Sequence, residues 1–142
     1  MMGIFLDTGF FLALVDSKDS HHNRATEFLD ILATGKYGQI HTSNFVMSET
    51  MTIVSARTDN NPIALEEIKD IFIGETNFFL IMQSTKELEK KTIELFLKIN
   101  KDNRKERVSF VDCSNIEFCE RFAIENILSF DKHFDGWVNR IY

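Results

Sequence analysis

The sequence predicts an α/β protein in which helices cover both faces of a mostly parallel sheet. Three observations predict it. Short apolar runs of strand length recur along the chain: Ile4-Phe5-Leu6, Gln39 to Thr42, Asn77 to Met82 and Ile127 to Phe130. Helix-length segments with one apolar stripe separate them, and crossovers of that length join parallel strands. The composition, 44% hydrophobic and 27% charged over 142 residues, is that of a packed domain with a real core. No repeat, low-complexity tract or linker interrupts the chain, so residues 1–142 read as a single domain.

Each element has its own local reason. Ile4-Phe5-Leu6 is a buried strand ending at Asp7, and Thr8 then caps a short helix carrying Phe11, Leu12 and Val15. A second helix starts after Ser20, with Ala25, Phe28, Leu29 and Leu32 at helical spacing, and stops at Gly35. Gln39 to Thr42 forms the second strand. Ser43 or Asn44 opens the next helix, which runs through Glu49 to about Arg57. Asn61-Pro62 is a cap followed by proline at the first helical position, and Gly74 ends that helix after Leu65, Ile68, Ile71 and Phe72. Asn77 to Met82 is the third strand. Thr85 to Ile99 is the longest helix, with Leu88, Thr92, Leu95, Phe96 and Ile99 on one side. Lys101 to Arg107 is charged and reads as a loop, and the apolar Val108 to Val111 leads into Asp112 and another helix. Ile127 to Phe130 is the fourth strand, ending at Asp131, and Trp137 to Tyr142 adds an edge strand.

Composition narrows the function classes. The 14 phenylalanines predict a core of phenyl and aliphatic packing. A net charge of −6 argues against DNA binding through a broad basic face. It leaves a nuclease open, because metal-binding carboxylates count as negative until the metal arrives. Cys113 and Cys119 fall on different faces of one helix, too far apart for a disulfide, which suits a reducing cytosol. The sequence shows no signal peptide, and the apolar run Phe10 to Val15 is far short of a membrane span. The expectation is a soluble cytoplasmic protein without a membrane partner.

Position singles out four acidic residues. Asp7 follows the first strand and Asp131 the last long one; Asp112 follows an apolar run and opens a helix; Glu49 lies about one turn into the helix after the second strand. Sites in open parallel sheets form at the carboxyl ends of strands, so all four can converge at one edge. Taken alone, Asp131 would be a helix cap, but four acids at corresponding places are hard to ascribe to capping. Carboxylates within roughly 4–6 Å disfavour joint ionisation unless a cation binds. Oxygen ligands of this kind select Mg²⁺ or Mn²⁺ over soft metals, and such a centre suits phosphodiester hydrolysis without a covalent nucleophile.

The motifs around these acids resemble those of a known family. Ile4 to Leu14 (IFLDTGFFLAL), followed by Asp16, Asp19, His21 and His22, resembles the opening of PIN domains. Thr42 to Thr50 (TSNFVMSET), Ser109 to Cys113 (SFVDC) and Ile127 to Phe134 (ILSFDKHF) are similar to their second, third and fourth motifs, in the right order. The resemblance covers Ile4 to about Phe134. It implies a three-layer α/β/α sandwich around a mostly parallel sheet, often assembled as a homodimer. It implies Mg²⁺- or Mn²⁺-dependent endoribonuclease activity, with Asp7, Glu49, Asp112 and Asp131 as the acidic quartet and metal ligands. Thr8 matches the small hydroxyl residue that hydrogen-bonds within such sites. Small members are mostly VapC-type toxins of toxin–antitoxin pairs, whose antitoxin inserts a segment into the active-site groove. An RNA-processing nuclease outside such a pair, and an inactive RNA- or protein-binding domain, are the alternatives.

Other residues were weighed beside the quartet. Asn115, three positions after Asp112, shares its helix face and is placed to bind a metal-held water. His133 reads as a surface or packing histidine that can also approach phosphate; Asp135 reads as an exposed surface acid. His21 and His22 lack metal-ligand spacing and read as first-turn and capping residues. Lys98, Lys101, Arg104, Lys105 and Arg107 form the most basic stretch, a solvated loop or a guide for RNA phosphates, and Arg57 is similar. Met47, Met51, Ile53 and Val54, with Phe72, suit either a dimer face or the core. Gly9 stands where haloacid-dehalogenase-like phosphatases need an aspartate, and no glycine-rich phosphate loop is present, so both phosphotransfer folds are excluded.

Overall fold

The computed structural model describes residues 3–102 and 106–142. In chain order the elements are β1 (Gly3–Leu6), α1 (Thr8–Val15), α2 (His22–Ala33), β2 (Gln39–Ser43), α3 (Asn44–Thr58), α4 (Pro62–Ile73), β3 (Leu80–Met82), α5 (Lys86–Asp102), α6 (Phe110–Arg121), β4 (Asn126–Leu128), a single 3₁₀ turn (Lys132–Phe134) and β5 (Asn139–Ile141). The strands form one sheet in the order β3-β2-β1-β4-β5, and every neighbouring pair is parallel. The architecture is a three-layer α/β/α sandwich with helices on both faces of that sheet, as the alternation of strands and helices predicts.

The order of the strands places the site. The chain starts in the middle of the sheet, builds outward through β2 and β3, then crosses back to lay β4 on the other side of β1. The connections leaving β1 and β4 therefore diverge, and a crevice opens beyond their carboxyl ends. β1 is buried along its whole length because it is covered from both faces.

The core is phenyl-rich, as expected. Phe5, Phe10, Phe11, Phe28, Phe118 and Phe134 are all fully buried. The Phe11 ring meets Phe72 at 4.8 Å and Phe79 at 5.3 Å between centroids, in tilted contacts that aromatic quadrupoles favour. Val54 and Phe72 lie in this core, with Met47, Met51 and Ile53 half-buried against it. Cys113 and Cys119 are buried free thiols.

Several boundaries differ from the sequence reading. Asp7, not Thr8, caps α1: its Oδ1 accepts the Thr8 N–H at 2.8 Å, and Thr8 is already helical. β3 is shorter than Asn77 to Met82, because the Asn77 amide turns back to the carbonyls of Ile71 and Phe72 at the end of α4. β4 ends at Leu128, since the Ser129 side chain is drawn into the site. The longest helix extends through Lys101 to Asp102, where a loop was expected; Arg104 and Lys105 lie outside the described residues. Val108 lies just before α6, and Phe110 and Val111 already belong to it. Ser109 caps α6 by accepting the Asp112 N–H at 3.0 Å, so Asp112 sits in the first helical turn with α5, not a strand, before it.

No helix among the described residues is long and apolar enough to cross a membrane.

Candidate metal centre

The four carboxylates reach one place by different routes. Asp7 ends β1 and caps α1; Glu49 projects from α3; Asp112 comes from the first turn of α6; Asp131 caps the 3₁₀ turn after β4, accepting the His133 N–H at 2.9 Å. All four line a single cavity of about 710 Å³, together with Thr8, Lys132 and His133.

Asp7 is the most constrained of them. It is 5% exposed. Besides the Thr8 N–H, its Oδ1 accepts the Asn115 amide at 3.0 Å, and its Oδ2 accepts the Ser129 hydroxyl at 2.7 Å. Those hydrogen bonds favour the charged form, yet burial outweighs them, with the Asp112 charge adding to it. The Asp7 carboxyl is pushed up to about 7.

Its neighbours show the same strain. Burial raises the Glu49 carboxyl above the ordinary range, with the Asp112 charge contributing, and the nearby Thr8 hydroxyl offsets part of the rise. Burial likewise raises Asp112, helped by Asp131, while His133 and Ser109 work against it. Three acids whose charge is disfavoured in one cavity are what a cation would relieve.

His133 belongs to this group. Its Nδ1 lies 3.1 Å from Asp131 Oδ2 and 3.4 Å from Asp112 Oδ2. Asp112, Asp131 and His133 offer donor atoms all within 4.8 Å of one another, a set that can coordinate a divalent metal ion. The oxygen-rich donors fit a hard cation with one borderline nitrogen at its side. The Thr8 hydroxyl lines the same cavity, buried and turned toward Glu49.

Asp7, Thr8, Glu49, Asp112 and Asp131, grouped by the sequence reading, line one cavity. Asn115 lies behind Asp7 rather than in the cavity lining, and its amide fixes that carboxylate. Ser129 and the cluster role of His133 were missed. The available signal was sequence spacing: Ser129, Asp131 and His133 stand two residues apart just after the fourth strand. Asp135 is a surface acid, paired with Arg140 at 2.7 Å. His21 takes the N-cap position of α2 without a capping bond, whereas His22 binds the Ala13 carbonyl at 2.7 Å. Arg57 pairs with Asp19 at 3.1 Å.

Comparison with known proteins follows this geometry. The PIN domain model matches residues 4–136. The Mycobacterium tuberculosis protein described as 23S rRNA-specific endonuclease VapC20 is 28% identical over 133 residues, covering 94% of this chain and 92% of that one. The VapC ribonuclease of Archaeoglobus fulgidus is 25% identical over 95 residues, 67% of this chain; the match spans 58% of that longer protein. Among solved structures, M. tuberculosis VapC20, a Sarcin-Ricin loop cleaving toxin, superposes with a TM-score of 0.77 at 26% identity, covering 95% of this chain and 96% of that one. VapBC2 from Rickettsia felis, bound to a promoter DNA fragment, shares the fold with a TM-score of 0.69 at 15% identity, over 99% of this chain and 98% of that one. The carboxylates that crowd one crevice at the sheet's edge thus sit on a known scaffold: the chain belongs to the PIN-domain family, and among its members it resembles VapC-like toxins.

Proposed function

We propose that this protein is a Mg²⁺- or Mn²⁺-dependent endoribonuclease, and that Asp7, Glu49, Asp112 and Asp131 are its metal ligands and catalytic residues. One observation carries the reading: four carboxylates from four separate elements line one cavity, and three of them are held where their charge is disfavoured. When bound, the ion supplies Lewis acidity and offsets the negative charge that grows on a phosphodiester under attack. The chain's own groups do the rest. Ser129 and Asn115 hold Asp7 in a single orientation, Thr8 sets its hydroxyl beside Glu49, and Lys132 and His133 give the cavity donors suited to a phosphate oxygen.

The likeness to VapC proteins supports a finer reading: residues 1–142 act as one PIN domain, as a homodimer, and as the toxin of a VapBC-type pair held in check by an antitoxin. Ribosomal RNA in the cytoplasm, carrying the loop that VapC20 cleaves, is the first substrate to test. The purified protein should cut that RNA when Mn²⁺ is added, stop in EDTA, and fail as Asp112→Asn. RNA that shifts on a gel but stays whole under all metal conditions would overturn the nuclease reading in favour of a binding domain.

A further inference from the structure

Beside the carboxylate cavity two rings lie face to face. The His21 imidazole stacks on the Phe130 ring with centroids 4.2 Å apart and planes 5° from parallel. Phe130 lines the cavity itself and directly precedes Asp131. Half of the His21 side-chain surface is exposed. With one face of the imidazole covered by Phe130, that exposure belongs to its other face and its edge.

The fold has little use for this ring. His21 stands at the N-cap of α2 but makes no capping hydrogen bond with its side chain. Its polar contacts are long, 3.4 Å to Ser20 Oγ and 3.6 Å to Asp19 Oδ1. Its backbone, in contrast, is pinned: the His21 N–H donates to Asp19 Oδ1 at 2.8 Å, and Asp19 is held by Arg57. A half-exposed ring therefore stands on an anchored segment, stacked on a residue of the cavity wall.

The charge of the cavity gives that ring a purpose. Asp7, Glu49, Glu106, Asp112 and Asp131 line it against Lys132 and His133. Phosphate attraction alone is a poor source of RNA affinity in such surroundings. Stacking serves there, because every base has a π-face whatever its sequence. Resting on the ribonuclease reading above, we propose that His21 and Phe130 form a nucleobase subsite on which an unpaired base next to the scissile phosphate stacks. The substrate class follows. It is RNA whose bases are splayed out, in a loop or single strand, and not an intact duplex whose bases already stack on one another.

The test combines binding and cleavage. Fluorescence anisotropy of a labelled single-stranded RNA is measured on the Asp7→Asn protein, with and without His21→Ala or His21→Phe, and against a duplex of the same sequence. His21→Ala should weaken single-strand binding about 5- to 150-fold, with the loss persisting at high salt and duplex binding unchanged. His21→Phe, which keeps a flat ring, should bind like its parent. In the cleaving protein, His21→Ala should raise KM with kcat little altered. Unchanged single-strand binding in His21→Ala, or an equal loss in His21→Phe, overturns the subsite. Loss of binding in His21→Ala by a protein that cuts no RNA would uphold the subsite and sink the nuclease reading, so the two failures are distinct.

Discussion

Replacing Asp7 by Asn should stabilise the metal-free protein while destroying its response to metal. The substitution keeps the shape, keeps an N-cap side chain for α1, and removes one buried charge. An ordinary aspartate near 3.8 is here pushed up to about 7, so the folded state holds a proton that the unfolded chain has already released. The sign follows from linkage. Below the unfolded value both states are protonated and burial costs nothing. Between about pH 4 and pH 7 stability falls as pH rises, and above about pH 7 the full penalty stands. That rise in the Asp7 value corresponds to about 4 kcal/mol. Glu49 and Asp112 are common to both proteins, so the difference reports Asp7 together with its repulsion of those two. Urea unfolding in EDTA should show Asp7→Asn and wild type nearly equal at pH 4, with the variant ahead by about 4 kcal/mol at pH 8. Saturating Mn²⁺ should then raise the wild type, by about 2.7 kcal/mol at a hundredfold excess over its Kd, and leave the variant where it was. Parallel stability curves from pH 4 to pH 8 would refute the idea that burial strains this carboxylate. Equal stabilisation of both proteins by Mn²⁺ would refute its assignment as a ligand.

Three further outcomes probe the surroundings of Asp7. Ser129→Ala removes a hydrogen bond that favours the Asp7 charge, so Asp7 should rise further and Mn²⁺ binding, followed by calorimetry, should move to higher pH. An unmoved profile would mean that the hydroxyl leaves the carboxylate unaffected. His133→Ala should lower Mn²⁺ affinity more than Mg²⁺ affinity, since imidazole suits transition metals better than Mg²⁺; equal losses would count against nitrogen ligation. Phe11→Ala opens a void between Phe72 and Phe79 and should cost about 3–5 kcal/mol in urea unfolding. A loss under about 1 kcal/mol would mean that those rings close over the gap.

What the sequence revealed depended on how local the cause was. Asn61 with Pro62 and Ser43 before α3 mark their helices through side chains acting within one turn, and Gly74 ends α4 by having none, since a Cβ there would strike the Asp70 carbonyl. Asp7 was legible because the end of β1 is visible as the end of an apolar run, and Asp131 because it closes the run Ile127 to Phe130, although β4 itself stops at Leu128. Asp112 was found for a reason that is only partly right: the run before it is apolar, but Ser109 turns it into a helix start. The end of β4 was hidden because Ser129 bonds to Asp7, which only the folded chain brings near, and the start of β3 because Asn77 turns back to α4 instead of extending the strand. His133 looked like a surface histidine for a similar reason, since its partner Asp112 is met only in the folded chain.

The Ser129 hydroxyl has a consequence larger than its size. The ladder between β1 and β4 runs out at the Leu6–Leu128 pair, with one more backbone bond from the Asp7 N–H to the Leu128 carbonyl. Beyond that point a single oxygen ties the two strand tips, donating to Asp7 Oδ2 and accepting the Asp131 N–H at 3.0 Å. The gap between the first and last acids of the quartet is thus gauged by a side chain rather than by the sheet. Threonine, which keeps the hydroxyl, would preserve that gauge. Alanine, or cysteine with its weak S–H donor and longer bond to sulfur, would let the two tips drift apart even though every carboxylate remained in the sequence.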